Sequence, residues 1–211
     1  MSGPPPPPSP PARGQGFIWV LGVVGILAIA YITLNTLQTD APGSRGIPAG
    51  RTLPPFAVPL ALSSLEGDAN IATKPRSGAE GNRPACDVRG PSILNSCQLA
   101  ERGPVVLAFV ATRSDRCERQ IDVVERVRAR FPAVQFAAVA IRGDRGDVRR
   151  VVRSHRWRMP VGYDNDGAVA NLYAVAVCPT ITFARRGGRV VSTSFELLDE
   201  RALTRRVEAL G

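Results

Sequence analysis

The stretch GPVVLAFVATRSDRCERQ, residues 103–120, decides the fold of this 211-residue chain. Its first half, 104–112, is an unbroken apolar run rich in β-branched residues, the pattern of a strand covered on both faces. From Asp115 the period changes. Ile121, Val124 and Val127 recur at helical spacing, Phe131 closes the stripe and Pro132 stops it. A buried strand feeding directly into an amphipathic helix opens a layered α/β arrangement, and Ser114 and Cys117 sit at the junction.

Downstream the alternation continues. VQFAAVAI (134–141) predicts a second buried strand, with Gly143 and Gly146 punctuating the turn after it. Val148, Val151, Val152 and His155 then mark one face of a helix, where His155 reads as a packed or half-exposed side chain rather than a catalytic one. Residues 157–163 read as extended and end in the turn signal DNDG, and 168–173 suit a short helix. TITFA (180–184) and RVVSTSF (189–195) flank Gly187-Gly188 as a hairpin, and Asp199 is placed to cap a last helix with Ala202, Leu203, Val207 and Leu210 inward. Upstream, 56–62 predicts a short strand, and 63–90, rich in Gly, Pro, Asn and Asp, reads as an irregular insertion.

The amino-terminal quarter has a different character. Residues 1–16, MSGPPPPPSPPARGQG, form a Pro-rich tail that builds no core and reads as disordered. Residues 17–37, FIWVLGVVGILAIAYITLNTL, carry no charge and are long enough for a helix to cross a hydrocarbon layer of roughly 30 Å. Trp19 and Tyr31 lie toward the two ends, where amphipathic rings favour the interface. A cleaved signal would have a shorter apolar region and a small-residue site, and LQTDAPG is a poor one, so an uncleaved single-pass anchor in the lipid bilayer is expected. Residues 38–55, with Pro42, Gly43, Gly46, Pro48 and Gly50, read as a linker.

Arg13 on one side of the apolar run and Arg45 and Arg51 on the other leave the orientation open to the charge rule. The four cysteines, Cys86, Cys97, Cys117 and Cys178, allow three complete pairings. Paired cysteines persist in oxidising compartments, so 38–211 is expected on the extracytoplasmic side of the cell membrane. None of their spacings resembles a zinc site and His155 is the single histidine, so neither metal nor other cofactor is expected. The formal charge is +9, with Lys74 the only lysine. The arginines interleave with acids, as in Arg142, Asp144, Arg145 and Asp147, which reads as a solvated charged surface and gives no reason to expect a nucleic-acid partner.

The order of elements, with Pro179 opening the first strand of the hairpin, resembles the thioredoxin fold: an α/β sandwich around a central mixed sheet, covering residues 56–211 and preceded by one transmembrane helix. The closer resemblance is to membrane-anchored thiol–disulfide oxidoreductases of the TlpA/ResA type, carried by 103–120, by YDNDGAVANLYAV (163–175) and by CPTITFARRGGRVV (178–191). The chain departs from that family where it matters most. In place of Trp-Cys-x-x-Cys stand Arg113, Ser114, Asp115, Arg116 and Cys117, so Ser114 replaces the attacking cysteine and a two-cysteine cycle within the motif is impossible. The acid that many thioredoxins carry in the preceding strand falls on Ala108.

The resemblance aligns Pro179 with the family's cis-proline, and so implies that Cys178 lies near the start of the redox helix, within the roughly 4.4–6.8 Å between Cα atoms that a disulfide to Cys117 requires. Cys86 and Cys97 then close a short structural loop. A helix start and the neighbouring Arg113, Arg116 and Arg119 favour a Cys117 thiolate. On this reading Cys117 and Cys178 exchange electrons with protein thiols or disulfides, supported by Ser114, Arg116 and Pro179. Three other readings stay open: a permanent Cys117–Cys178 staple, a peroxiredoxin-like peroxidase using Ser114-x-x-Cys117 with Cys178 resolving, and a non-catalytic binding module.

Overall fold

The run at 104–112 becomes β3 (Val105–Ala111), flanked by β4 (Gln135–Arg142) and β6 (Thr180–Ala184). The structure, a computed structural model, describes residues 3–4, 15–38, 46–71 and 84–211; part of the tail, of the expected linker and of the insertion lies outside the described residues. Two compact units result, Met1–Ala41 and Pro42–Gly211.

In the larger unit five strands form one mixed sheet in the order β5 (Val161–Tyr163), β4, β3, β6, β7 (Val190–Ser194). β3, β4 and β5 run parallel, and β6 is antiparallel to both β3 and β7. The crossovers are α3 (Asp115–Arg128) and α4 (Arg145–Ser154), while α5 (Ala168–Leu172) precedes the hairpin and α6 (Glu200–Glu208) ends the fold. Asp199 caps α6 as the sequence predicts, accepting from the Ala202 amide at 2.7 Å.

Side-chain alternation along β3 splits the core in two. Val106, Ala108 and Val110 pack with Ile121, Val124, Val148 and Leu203 from the helices on one face. Val105, Leu107 and Phe109 pack on the other with Phe56, Leu94 and Tyr173. These six of the seven β3 residues are essentially inaccessible, which is why the run reads as continuously apolar rather than alternating.

Several expectations need correcting. Residues 93–102 hold β2 (Ile93–Asn95) and α2 (Ser96–Arg102), which the sequence reading leaves out; β2 pairs antiparallel with β1 (Ala57–Pro59), and Asn95 caps α2 by accepting from the Gln98 amide. A three-residue strand is too short to show a period, and it survives because Asn95 also donates to the carbonyls of Ala85 and Val88 at 2.7 and 2.8 Å. Within the expected linker, Gly50 and Leu53 donate to the β-hairpin at Val190 and Gly188, and Ile47 and Leu53 are buried. Arg145 and Asp147 are not solvated surface charges. The Arg145 side chain is 10% exposed and its guanidinium donates to the carbonyls of Leu60, Ala61, Ser63 and Leu65, while the Asp147 side chain is 6% exposed.

The smaller unit is the helix α1 (Gln15–Gln38), which contains the expected apolar run 17–37. Its described, exposed apolar side chains cover 19–31, about 20 Å of helix at 1.5 Å per residue. Among the described residues no helix is long and apolar enough to cross a membrane.

Candidate functional site

At its carboxyl end β3 turns sharply into α3. Arg113 takes a left-handed conformation (φ 64°), Ser114 returns to extended backbone as the N-cap residue, and Cys117 follows in the first turn. The turn is held by three contacts. The Arg113 amide donates to Glu118 Oε1 at 3.0 Å, the Cys117 amide donates to the Ser114 carbonyl at 2.9 Å, and the Arg113 guanidinium reaches the buried Asp147 carboxylate on α4. Arg113 and Arg150 together hold the Asp147 carboxyl below the usual carboxylate range. The Arg113 guanidinium is thus committed to Asp147 rather than to Cys117, and Arg116 and Arg119 are exposed whereas Cys117 is buried, 2% accessible.

The facing element is the loop before β6. Its Cys178–Pro179 peptide is cis, Pro179 and Thr180 are buried, and the Thr180 hydroxyl donates to the Val177 carbonyl at 2.6 Å. This loop brings Cys178 to Cys117: the two are joined as a disulfide with Cα atoms 5.6 Å apart, across 61 residues of chain. Cys86 and Cys97 form a second disulfide with Cα atoms 5.4 Å apart, tying the turn at Ala85–Asp87 to α2.

The surroundings of the Cys117–Cys178 bond are unequal. The Ser114 hydroxyl lies 3.0 Å from Cys117 Sγ and donates to it, while Cys178 Sγ lies 3.5 Å from the Phe109 carbonyl oxygen. Cys117 is enclosed by the apolar core that includes Val110 and Ile121; Cys178 is partly exposed beside the exposed Ala176 and Val177. Cys117 and Cys178 are both lining residues of an open cleft of about 810 Å³ whose walls include Ser114, Gly143, Ala170 and Val177. Gly143 (φ 105°) is required here, because a side-chain carbon on it would overlap the Thr112 hydroxyl across the cleft floor. The wall formed by α5 is fixed by Asp164, which accepts from the amides of Val169 and Ala170; burial raises its pKa above the ordinary carboxylate range against the pull of those amides.

Ala108 is fully buried and pairs with Ile181 and Ala138, so at that position β3 contributes no carboxylate beneath the disulfide. His155 lies away from the cleft-lining residues. Its Nδ1 meets Asp122 at 2.9 Å, its Nε2 faces Glu118 at 3.3 Å, and Trp157 Nε1 donates to the same Asp122 carboxylate at 2.7 Å. This packed histidine agrees with the sequence expectation; neither this cluster nor any other group of three or more His, Cys, Asp or Glu side chains among the described residues is arranged to hold a metal ion. Sequence reasoning did not find the Ser114–Cys117 hydrogen bond or the Arg113–Asp147 pair. The one available signal was Ser114 at N-cap spacing before an amphipathic run.

No protein-family model matches the chain, and no curated protein matches it. Solved structures do. One is a secreted Mycobacterium tuberculosis disulfide oxidoreductase homologous to E. coli DsbE, at 25% identity over 56% of this chain and 90% of that one, with a TM-score of 0.52. A second is DsbF of the same organism, at 29% identity over 52% of this chain and 82% of that one, TM-score 0.50. A third, from Chlorobium tepidum and described as a thiol:disulfide interchange protein DsbE, matches at 21% identity over 78% of this chain and 99% of its own, TM-score 0.59, and shows the fold alone. The chain has the thioredoxin-like fold, and its structural neighbours include thiol:disulfide oxidoreductases, in line with the TlpA/ResA-type resemblance.

Proposed function

We propose that this protein is a thiol–disulfide exchange protein whose working pair is Cys117 and Cys178, acting on protein thiols or disulfides outside the cytoplasm. The observation that carries the reading is the disulfide between the first turn of α3 and the loop before β6, opening onto the cleft rather than sealed within the core. Exchange requires a thiolate to reach one sulfur of the bond and the other sulfur to leave as a stabilised anion. The partly exposed Cys178 supplies access, and the helix start with the Ser114 hydroxyl supplies the stabilisation. Arg116, exposed beside this turn, and Pro179, which shapes the loop, support the pair. Cys86–Cys97 is structural in this proposal.

Anchoring belongs to the proposal as well. It rests on the uncharged run 17–37, all of it within α1, and the extracytoplasmic placement rests on two disulfides in one chain. Equilibration of the full chain in graded thiol–disulfide buffers, followed by alkylation and peptide mapping, tests the exchange reading. A potential for Cys117–Cys178 above about −300 mV is expected; a lower value assigns the bond to the structural staples.

A further inference from the structure

We infer that the two cysteines have fixed and unequal roles, with the attacking sulfur moved out of the helix motif this chain resembles: Cys178, on the loop before β6, is the sulfur that bonds to substrate, and Cys117, at the motif's second cysteine position on the helix, is the leaving and resolving thiol. This assignment rests on the exchange reading above. Three observations carry it. Cys117 is 2% accessible and packed against Val110 and Ile121, whereas Cys178 is partly exposed at the rim of the cleft. The polar stabilisation is on the other sulfur: the Ser114 hydroxyl donates to Cys117 Sγ at 3.0 Å, and the first turn of α3 surrounds it with amide dipoles. Cys178 Sγ instead faces a carbonyl oxygen, that of Phe109 at 3.5 Å, which disfavours accumulation of negative charge on that sulfur.

Together these set the direction of bond breaking. A substrate thiolate attacks Cys178 Sγ; the S–S bond breaks, and its electron pair moves to Cys117 Sγ as a thiolate held by Ser114. The product is a mixed disulfide between substrate and Cys178. A second substrate thiolate then attacks the substrate sulfur of that bond and releases Cys178, which takes up a proton. The substrate dithiol has become a disulfide and the protein a dithiol, with two electrons transferred. In the opposite direction the Cys178 thiolate attacks a substrate disulfide, the Cys117 thiolate resolves the mixed bond, and the reduced substrate leaves. Ser114, standing where the resembled family has its attacking cysteine, has become the hydrogen-bond donor to the sulfur that remains.

The assignment is tested with full-length Cys117→Ser and Cys178→Ser, each with the Cys86–Cys97 bond intact, and with an aromatic disulfide and an oxidised dicysteine peptide as probes. Circular dichroism checks that both variants are folded. Cys117→Ser is expected to form a stable mixed disulfide at Cys178, located by peptide mass mapping, at least about tenfold faster than Cys178→Ser forms one at Cys117. Equal rates, or faster trapping at Cys117, overturn the role assignment while leaving exchange in place. If neither folded variant traps either probe, the assignment and the exchange reading both fall.

Discussion

Replacing Ser114 by alanine probes the chemistry at Cys117 without touching either sulfur. In the disulfide state the Ser114 hydroxyl donates to a neutral sulfur, a weak acceptor; once the bond is reduced, the same hydroxyl, 3.0 Å away, faces a thiolate. A hydrogen bond to an ionised acceptor contributes about 1.5–3 kcal/mol. Ser114 is only half-buried, so water partly takes its place, and the lower end, about 1.5 kcal/mol, applies. The interaction stabilises the reduced state more than the oxidised one. Its loss therefore makes reduction harder, and the potential moves to more negative values by about 30 mV for a two-electron couple. Redox-buffer equilibration measures this potential, with Ser114→Thr expected to retain the wild-type value. An unchanged or less negative potential in Ser114→Ala, with the fold intact, refutes the view that this hydroxyl stabilises the leaving sulfur.

Ser114→Cys restores a Cys-x-x-Cys spacing at a position whose side-chain oxygen already contacts Cys117, so the disulfide is expected to shift to 114–117 and to free Cys178 for alkylation, read by mapping without prior reduction. Arg145→Ala removes a nearly buried guanidinium that gathers four carbonyls of the 60–65 loop; a loss of about 2–3 kcal/mol and a fall of about 4–12 °C in Tm are expected, with faster proteolytic cleavage of that loop and no rescue by Arg145→Lys, whose point charge lacks the fork. The Asp147 pKa is depressed in the fold, so its pairing with Arg113 and Arg150 contributes stability above the ordinary carboxylate value of about 3.9, lost as pH falls through the lower folded value. Asp147→Asn is expected to flatten acid unfolding curves in that window, and an unchanged acid dependence counts against the pairing.

Legibility in the sequence tracks burial. β3, β4 and β6 stand out because both faces are covered, so their apolar runs are continuous, and α6 because Asp199 and the inward Leu203 and Val207 leave a cap and a stripe. What escapes notice is stabilised by single long-range contacts that no local period encodes. β2 depends on Asn95 bridging Ala85 and Val88, and residues 50–53 lie against the hairpin through backbone hydrogen bonds. Arg145 and Asp147 look like surface charges because the partners that bury them, the 60–65 carbonyls for Arg145 and Arg113 for Asp147, are more than 30 residues away, and the local Arg150–Asp147 pair is what an exposed helix face also shows. At the site, the meeting of Cys117 with Cys178 came from family resemblance and not from spacing. The role of Ser114 was hidden because a serine in a cysteine's place reads as a loss.

Moving one cysteine out of the helix changes the energetics of the pair. A disulfide between residues three apart closes a loop whose chain entropy corresponds to about 2 kcal/mol, whereas the 61-residue separation of Cys117 and Cys178 corresponds to about 4 kcal/mol. By the thermodynamic cycle, whatever oxidation adds to the stability of the fold, the fold adds to the stability of the disulfide. The longer loop therefore lowers the potential of the folded pair relative to its unfolded counterpart by about 40 mV more than a helix-local pair would experience. Measured against the unfolded chain, the fold therefore holds this bond more strongly than it would hold a helix-local one. Only groups that favour the reduced, ionised state oppose it, and at Cys117 these are the Ser114 hydroxyl and the amides of the first turn of α3. The same geometry thus contains both a staple and an exchanger, and the hydroxyl of Ser114 acts on the balance between them.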